Sequence, residues 1–181
     1  MSIYIYSSSA GQPGRRKHRA ALSSIPLLKL ENKNENIYKM STIEDGVRPL
    51  TNFDIDSLVK YLDIPNYKGT FMKDQLIGKP KETECAVINL QNSNQAGSHW
   101  VAFYKDGEQR IYFDSFGQIP PTEIQKYLKT AEEYKQNIPV IQRNTDIVQK
   151  PNTNICGHLC IHVLDKLSKG APYQKIIDSL W

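Results

Sequence analysis

The segment Pro151-Asn152-Thr153-Asn154-Ile155-Cys156-Gly157-His158-Leu159-Cys160 changes character part-way along. Its first half is polar and turn-forming. From Cys156 onward, Leu159, Cys160, Val163, Leu164 and Leu167 recur at helical spacing and share one broad apolar face. The spacing predicts a helix that starts at Cys156 and stops at Gly170, followed by Pro172. A cysteine in the first turn of a helix meets unpaired backbone N–H groups and the positive end of the helix dipole, and both favour thiolate over thiol.

Working upstream, Ala86-Val87-Ile88-Asn89-Leu90 within Glu84–Leu90 reads as a buried strand, and residues 91–98 as a polar loop that ends at His99. Trp100–Tyr104 and Ile111–Phe113 flank Lys105-Asp106-Gly107-Glu108, whose Asp-Gly pair is a hairpin signal. Antiparallel pairing of these strands brings His99 and Asp114 side by side at the open end of the hairpin. Thr51 caps a predicted helix carrying Phe53, Ile55, Leu58, Val59 and Leu62, which ends before Pro65. Ile124, Tyr127, Leu128 and Ala131 predict one surface helix over 122–134, and Ile138–Gln142 a further short strand. Helices around a small, largely antiparallel sheet make an α+β domain.

The chain has 181 residues and 39% hydrophobic content, enough for one domain with its own core. No apolar run approaches the roughly eighteen residues that span a bilayer, so no membrane partner is expected. Met1–Tyr6 lacks the charged start and sustained apolar middle of a secretory signal. Three cysteines, Cys85, Cys156 and Cys160, are an odd number and suit a reducing compartment better than a disulfide framework. The net charge of +4 is local: Arg15, Arg16, Lys17 and Arg19 are the only charged residues among the first twenty. Around them, Ser7-Ser8-Ser9-Ala10-Gly11-Gln12-Pro13-Gly14 is small and turn-forming. Residues 1–49 therefore read as a basic flexible extension and residues 50–181 as the folded domain. The cluster suits binding to DNA or another polyanion, a nuclear-targeting patch, a cleavable leader or a solubilising tail.

Cys156, His99 and Asp114 make a complete Cys-His-Asp nucleophilic set. The Cys156 N–H and the Gln149 side-chain amide are candidate donors to a developing oxyanion, and Gly157 would let a substrate backbone approach without a Cβ clash. Each also has a plainer reading: Cys156 as a packed thiol, His99 as a structural histidine beside Trp100, Asp114 as a turn cap, and Gln149 as a polar loop residue. Cys160, one turn deeper on the apolar face, reads as core, and Cys85 as structural. His158 and His162 read as partly exposed helix residues. No short-spaced ligand pair accompanies them, so no metal site is expected.

Taken together, His99-Trp100, Asp114, Gln149 and Pro151–Gly157 with Cys160 resemble the catalytic signature of the adenovirus maturation protease (adenain) group, within the wider Ulp1-like cysteine peptidase clan. The seven-residue step from Gln149 to Cys156 is the sharpest part of the likeness, which spans about Leu50 to Lys169 and points to a virus or a virus-like transposon. It implies a papain-like fold, with Cys156 as nucleophile, His99 as base and acid, Asp114 orienting it, Gln149 as oxyanion donor and Trp100 shaping the site. It further implies cleavage of viral capsid and core precursor proteins after small-residue motifs containing glycine. That would occur inside an assembling virion, in the host nucleus or a cytoplasmic viral factory. No cofactor is implied for the chemistry, although a small basic peptide attached through a disulfide can activate members of that group, and DNA or a peptide is the activator to look for here. Two features differ from the adenovirus pattern. Asp114 stands where those enzymes use Glu more often, as in the SUMO-processing branch, and no cysteine lies between Cys85 and Cys156 to tether an activating peptide. A protease of SUMO- or ubiquitin-like modifiers, and an inactive nucleic-acid-binding or capsid accessory protein, remain as alternatives.

Overall fold

The computed structural model describes residues 48–180. Arg15, Arg16, Lys17 and Arg19 lie outside the described residues. The elements run α1 (Asn52–Tyr61), β1 (Tyr67–Met72), a short 3-10 turn (Lys73–Gln75), β2 (Thr83–Asn89), β3 (Trp100–Asp106), β4 (Gln109–Phe113), α2 (Thr122–Leu128), α3 (Ala131–Lys135), β5 (Gln142–Arg143), α4 (Cys156–Ser168) and α5 (Tyr173–Asp178).

Local chemistry explains the start of the domain. Thr51 caps α1 by accepting from the Asp54 N–H, while Asp54 accepts from the Thr51 N–H, a reciprocal capping box. Arg48 then grips the same carboxylate at 2.7 Å. Asp63, at φ 52°, ends the helix in the left-handed region, and Pro65 follows.

The five strands form one sheet in the order β1-β2-β3-β4-β5. Its centre is antiparallel, as expected, with Ala86 opposite Phe103 and Ala102 opposite Phe113. Its edges are not. β1 pairs parallel to β2 and β5 parallel to β4, so the sheet is mixed rather than largely antiparallel. The parallel edge strand β1 leaves no clear mark in the sequence, because Tyr67-Lys68-Gly69 interrupts its alternation and its register shifts there.

Strand periodicity builds two cores, because successive side chains point to opposite faces. Cys85, Val87, Ala102, Ile111 and Phe113 face α1, α4 and α5. Ala86, Ile88, Val101, Phe103 and Tyr112 face α2. A sheet covered on both sides explains why β2 reads as an unbroken apolar run.

Three further expectations are corrected. The single helix over 122–134 is two helices, because Lys129 is extended and Thr130 caps α3 afresh through a second capping box with Glu133. The strand over 138–142 contracts to Gln142–Arg143, since Pro139 has no N–H to give a ladder. His158 and His162 are buried rather than partly exposed, because α4 is enclosed on nearly all sides. Helix α5, just past Pro172, was absent from the sequence expectation.

Candidate active site

The β3–β4 register carries the chain back so that Asp114, one residue past β4, lies beside His99, one residue before β3. The His99 Nε2 atom is 2.8 Å from Asp114 Oδ1. A carboxylate only accepts, so Nε2 carries the proton and Nδ1 is left for another partner. Asp114 is fully buried, and the same Oδ1 accepts from the Phe116 N–H at 2.8 Å. The Phe116 ring stacks on the imidazole with centroids 4.8 Å apart.

Asp114 is held by its backbone as well. Its N–H donates to Asn144 Oδ1 at 3.2 Å, and Asn144 Nδ2 returns a bond to its carbonyl at 2.6 Å. The Tyr173 hydroxyl from α5 accepts from the Asn144 N–H at 3.1 Å and donates to the Tyr112 carbonyl at 2.9 Å. Gly117 closes the turn at φ +66°, where a Cβ would sit 2.4 Å from the Thr145 carbonyl oxygen. No larger residue fits there.

Cys156 opens α4 and is 7% exposed. The first intrahelical bond is Leu159 N–H to the Ile155 carbonyl, so the N–H groups before it have no acceptor within the helix. Burial works to raise the Cys156 pKa, but the His99 hydrogen bond and the N–H groups of Trp100 and Gly157 outweigh it, and the thiol is held below its usual range. Burial likewise opposes protonation of His99, yet the bonds to Asp114 and Cys156 prevail and raise its pKa to about 9. Both shifts favour thiolate and imidazolium, the form in which sulfur attacks a carbonyl and the imidazolium can protonate a leaving group.

The other two thiols differ sharply. Burial pushes Cys85 up to about 12 and Cys160 well above its ordinary value. All three cysteines are free, and Cys160 Sγ contacts the Trp100 carbonyl at 3.3 Å.

Gln149 is 4% exposed and lines the same cleft, of about 650 Å3, as His99, Trp100, Phe116 and Cys156. Trp100 is fixed by its indole N–H, which donates to the Leu50 carbonyl at 2.9 Å. Gly157 has a different task from the expected one. A Cβ there would point into the protein, 3.2 Å from Trp100 Cδ1 and 3.3 Å from Leu50 Cβ, so glycine lets α4 pack closely against Trp100.

The four residues expected to do the chemistry, His99, Asp114, Gln149 and Cys156, therefore lie together, with Trp100 beside them. Ser115, Phe116, Asn144 and Tyr173 were missed by sequence reasoning. The turn sequence Asp114-Ser115-Phe116-Gly117 was a signal for the first two, whereas nothing local marks Asn144 or Tyr173. Among the described residues, no group of three or more His, Cys, Asp or Glu could hold a metal ion, and no helix is long and apolar enough to cross a membrane.

With this geometry in place, residues 69–176 match the model of the adenovirus endoprotease family of peptidases. The chain belongs to the adenovirus endoprotease family. Similar relatives are the protease of human adenovirus B serotype 3, 29% identical over 132 residues, covering 62% of this chain and 63% of that protein. The protease of bovine adenovirus 2 is 28% identical over 119 residues, covering 59% and 58%. The chain thus spans about three-fifths of the length of these curated relatives. Among solved structures, the ASFV protease superposes with a TM-score of 0.50 at 18% identity, covering 71% of this chain and 61% of that one. That likeness supports the shared α+β endoprotease fold.

Proposed function

We propose that this chain is a cysteine endopeptidase that cuts viral capsid and core precursor proteins during virion maturation. The observation that carries the reading is the His99 imidazole joined to both the buried Asp114 carboxylate and the Cys156 thiol at the helix start. The Cys156 thiolate attacks the scissile carbonyl carbon, and the C=O π electrons move to oxygen. The Cys156 N–H and Gln149 amide receive that oxyanion. As it collapses, the C–N bond breaks, and His99 gives its proton to the departing amine. Water, deprotonated by His99, then attacks the thioester, and the carboxylic acid leaves with the thiolate restored. Asp114 holds the imidazole's orientation throughout and Trp100 walls the site.

These steps use side chains and backbone alone, so the chemistry calls for no cofactor. Precursor proteins as substrates, and a virion, nuclear or viral-factory location, belong to the same proposal. The cluster Arg15, Arg16, Lys17 and Arg19 is proposed to bind DNA, which would act as an activator or retain the enzyme at its substrates. A modifier protease is the second reading, favoured by aspartate rather than glutamate at position 114. Cleavage of a full-length SUMO-like modifier, with capsid precursors left intact, would decide for it.

The test is intact-mass labelling with iodoacetamide on the native chain, Cys156→Ala and His99→Ala. Rapid single alkylation at Cys156 near neutral pH, slowed without His99, is expected. Alkylation of Cys156 no faster than that of Cys85 would refute the peptidase and leave a binding role.

A further inference from the structure

The geometry points to Ser115 as the positioning residue that fixes the Gln149 side-chain amide, so that the residue after the one orienting His99 orients the oxyanion donor. This rests on the peptidase reading and assigns a role to a side chain outside the four residues of the site.

The amide's orientation follows from its neighbours. Gln149 faces the Thr153 carbonyl at 2.6 Å and the Ser115 hydroxyl at 2.7 Å. A carbonyl can only accept, so the end facing Thr153 is the NH2 group, and the end facing Ser115 is the oxygen. Nε2 spends one N–H on Thr153 and has a second to offer. Rotation of the amide by half a turn would bring two oxygens together at Thr153 and lose that buried bond, while the Ser115 hydroxyl would have to turn from donor to acceptor. Ser115 is 0% exposed, so no water competes for this contact.

The backbone of Ser115 does a separate job. Its carbonyl accepts from the N–H groups of Val148 and Gln149, at 2.9 and 3.2 Å, and docks the loop to the end of β4. Removing only the hydroxyl therefore leaves the loop attached and the amide held at one end, by the Thr153 carbonyl alone. Asp114, Ser115 and Phe116 form one tripeptide that sets the imidazole's proton, the amide's direction and the imidazole's face.

The test separates chemistry that makes an oxyanion from chemistry that does not. Hydrolysis of N-acetylglycine p-nitrophenyl ester passes through an oxyanion. Alkylation of Cys156 by iodoacetamide is displacement at saturated carbon and makes none. In Ser115→Ala, kcat for the ester should fall about 10- to 100-fold with KM little changed, and a peptide ending in glycinal should bind more weakly by a similar factor. The alkylation rate should stay within about twofold. In a Gln149→Ala background the same change should cost nothing further.

If Ser115→Ala melts below the assay temperature, Ser115→Cys, similar in shape with a weaker donor, should show a smaller loss confined to the same readouts. Equal slowing of alkylation and hydrolysis would overturn the role of Ser115, as would unchanged hydrolysis. Absence of both reactions in the wild-type chain would instead overturn the peptidase reading beneath it.

Discussion

Gly157→Ala sets the demands of helix packing against those of helix propensity. In an isolated helix, alanine is worth about 1 kcal/mol over glycine, less in the first turn. The new Cβ would lie 3.2 Å from Trp100 Cδ1 and 3.3 and 3.4 Å from Leu50 Cβ and Cδ1, inside the 3.5–4.0 Å optimum for carbon pairs. Neither neighbour is free to yield, since Leu50 is buried in the core and the Trp100 indole is tied to the Leu50 carbonyl. Overpacking of this kind costs about 1–3 kcal/mol, so we expect net destabilisation of about 1–2 kcal/mol and a Tm lower by roughly 3–8 °C. Because the backbone N–H of Trp100 bonds the Cys156 sulfur, a shift of a few tenths of an ångström should slow iodoacetamide alkylation several-fold. The assay is thermal melting and alkylation of both proteins, repeated in a Leu50→Ala background, where the penalty should lessen because the Cδ1 contact is gone, while the Cβ and Trp100 contacts keep part of it. A Gly157→Ala protein that melts at or above wild type, with only KM for the ester raised, would refute the packing argument and return the glycine to the substrate.

Acid and base should separate the two halves of the dyad. Cleavage of a peptide bond should fall as pH rises through about 9, where His99 loses the proton owed to the departing amine, whereas alkylation of Cys156 should persist because the thiolate remains. Parallel decline of both rates would contradict the ion pair. His158 supplies a stability prediction. It is 3% exposed, and burial foremost holds its pKa at about 4, below the ordinary 6.5. The unfolded chain thus binds the proton more tightly. Its contribution is complete above about pH 6.5 and is lost as pH falls through about 4, up to about 3 kcal/mol. Urea unfolding of wild type and His158→Gln across that range should show a shallower acid loss in the variant, and identical slopes would remove His158 as the cause.

Much of this was legible along the chain because it depends on near neighbours. The helix beginning at Cys156, the Thr51 cap, and the hairpin that returns Asp114 to His99 are set by periodicity, capping chemistry and a two-residue turn, and each reads from a few consecutive residues. Gln149 stood out only by its spacing from Cys156 within a family likeness. The restart at Thr130 was overlooked although Thr130-Ala131-Glu132-Glu133 carries a capping-box pattern, because the apolar spacing of Ile124, Tyr127, Leu128 and Ala131 runs on across it.

What the tertiary structure alone decided concerns contacts between distant segments. Parallel pairing of β1 and β5 needs partners brought from elsewhere in the fold, and neither edge strand carries a clean alternation of its own. The grip of Asn144 and Tyr173 on Asp114, and that of Ser115 on Gln149, join residues 29 to 34 positions apart, or farther, whose types are ordinary for loops and helices. The chemical identity of the reacting groups is a property of single side chains and is written in the sequence. Their protonation and aim depend on burial and on hydrogen-bond partners, which exist only once the sheet and α4 have closed over them.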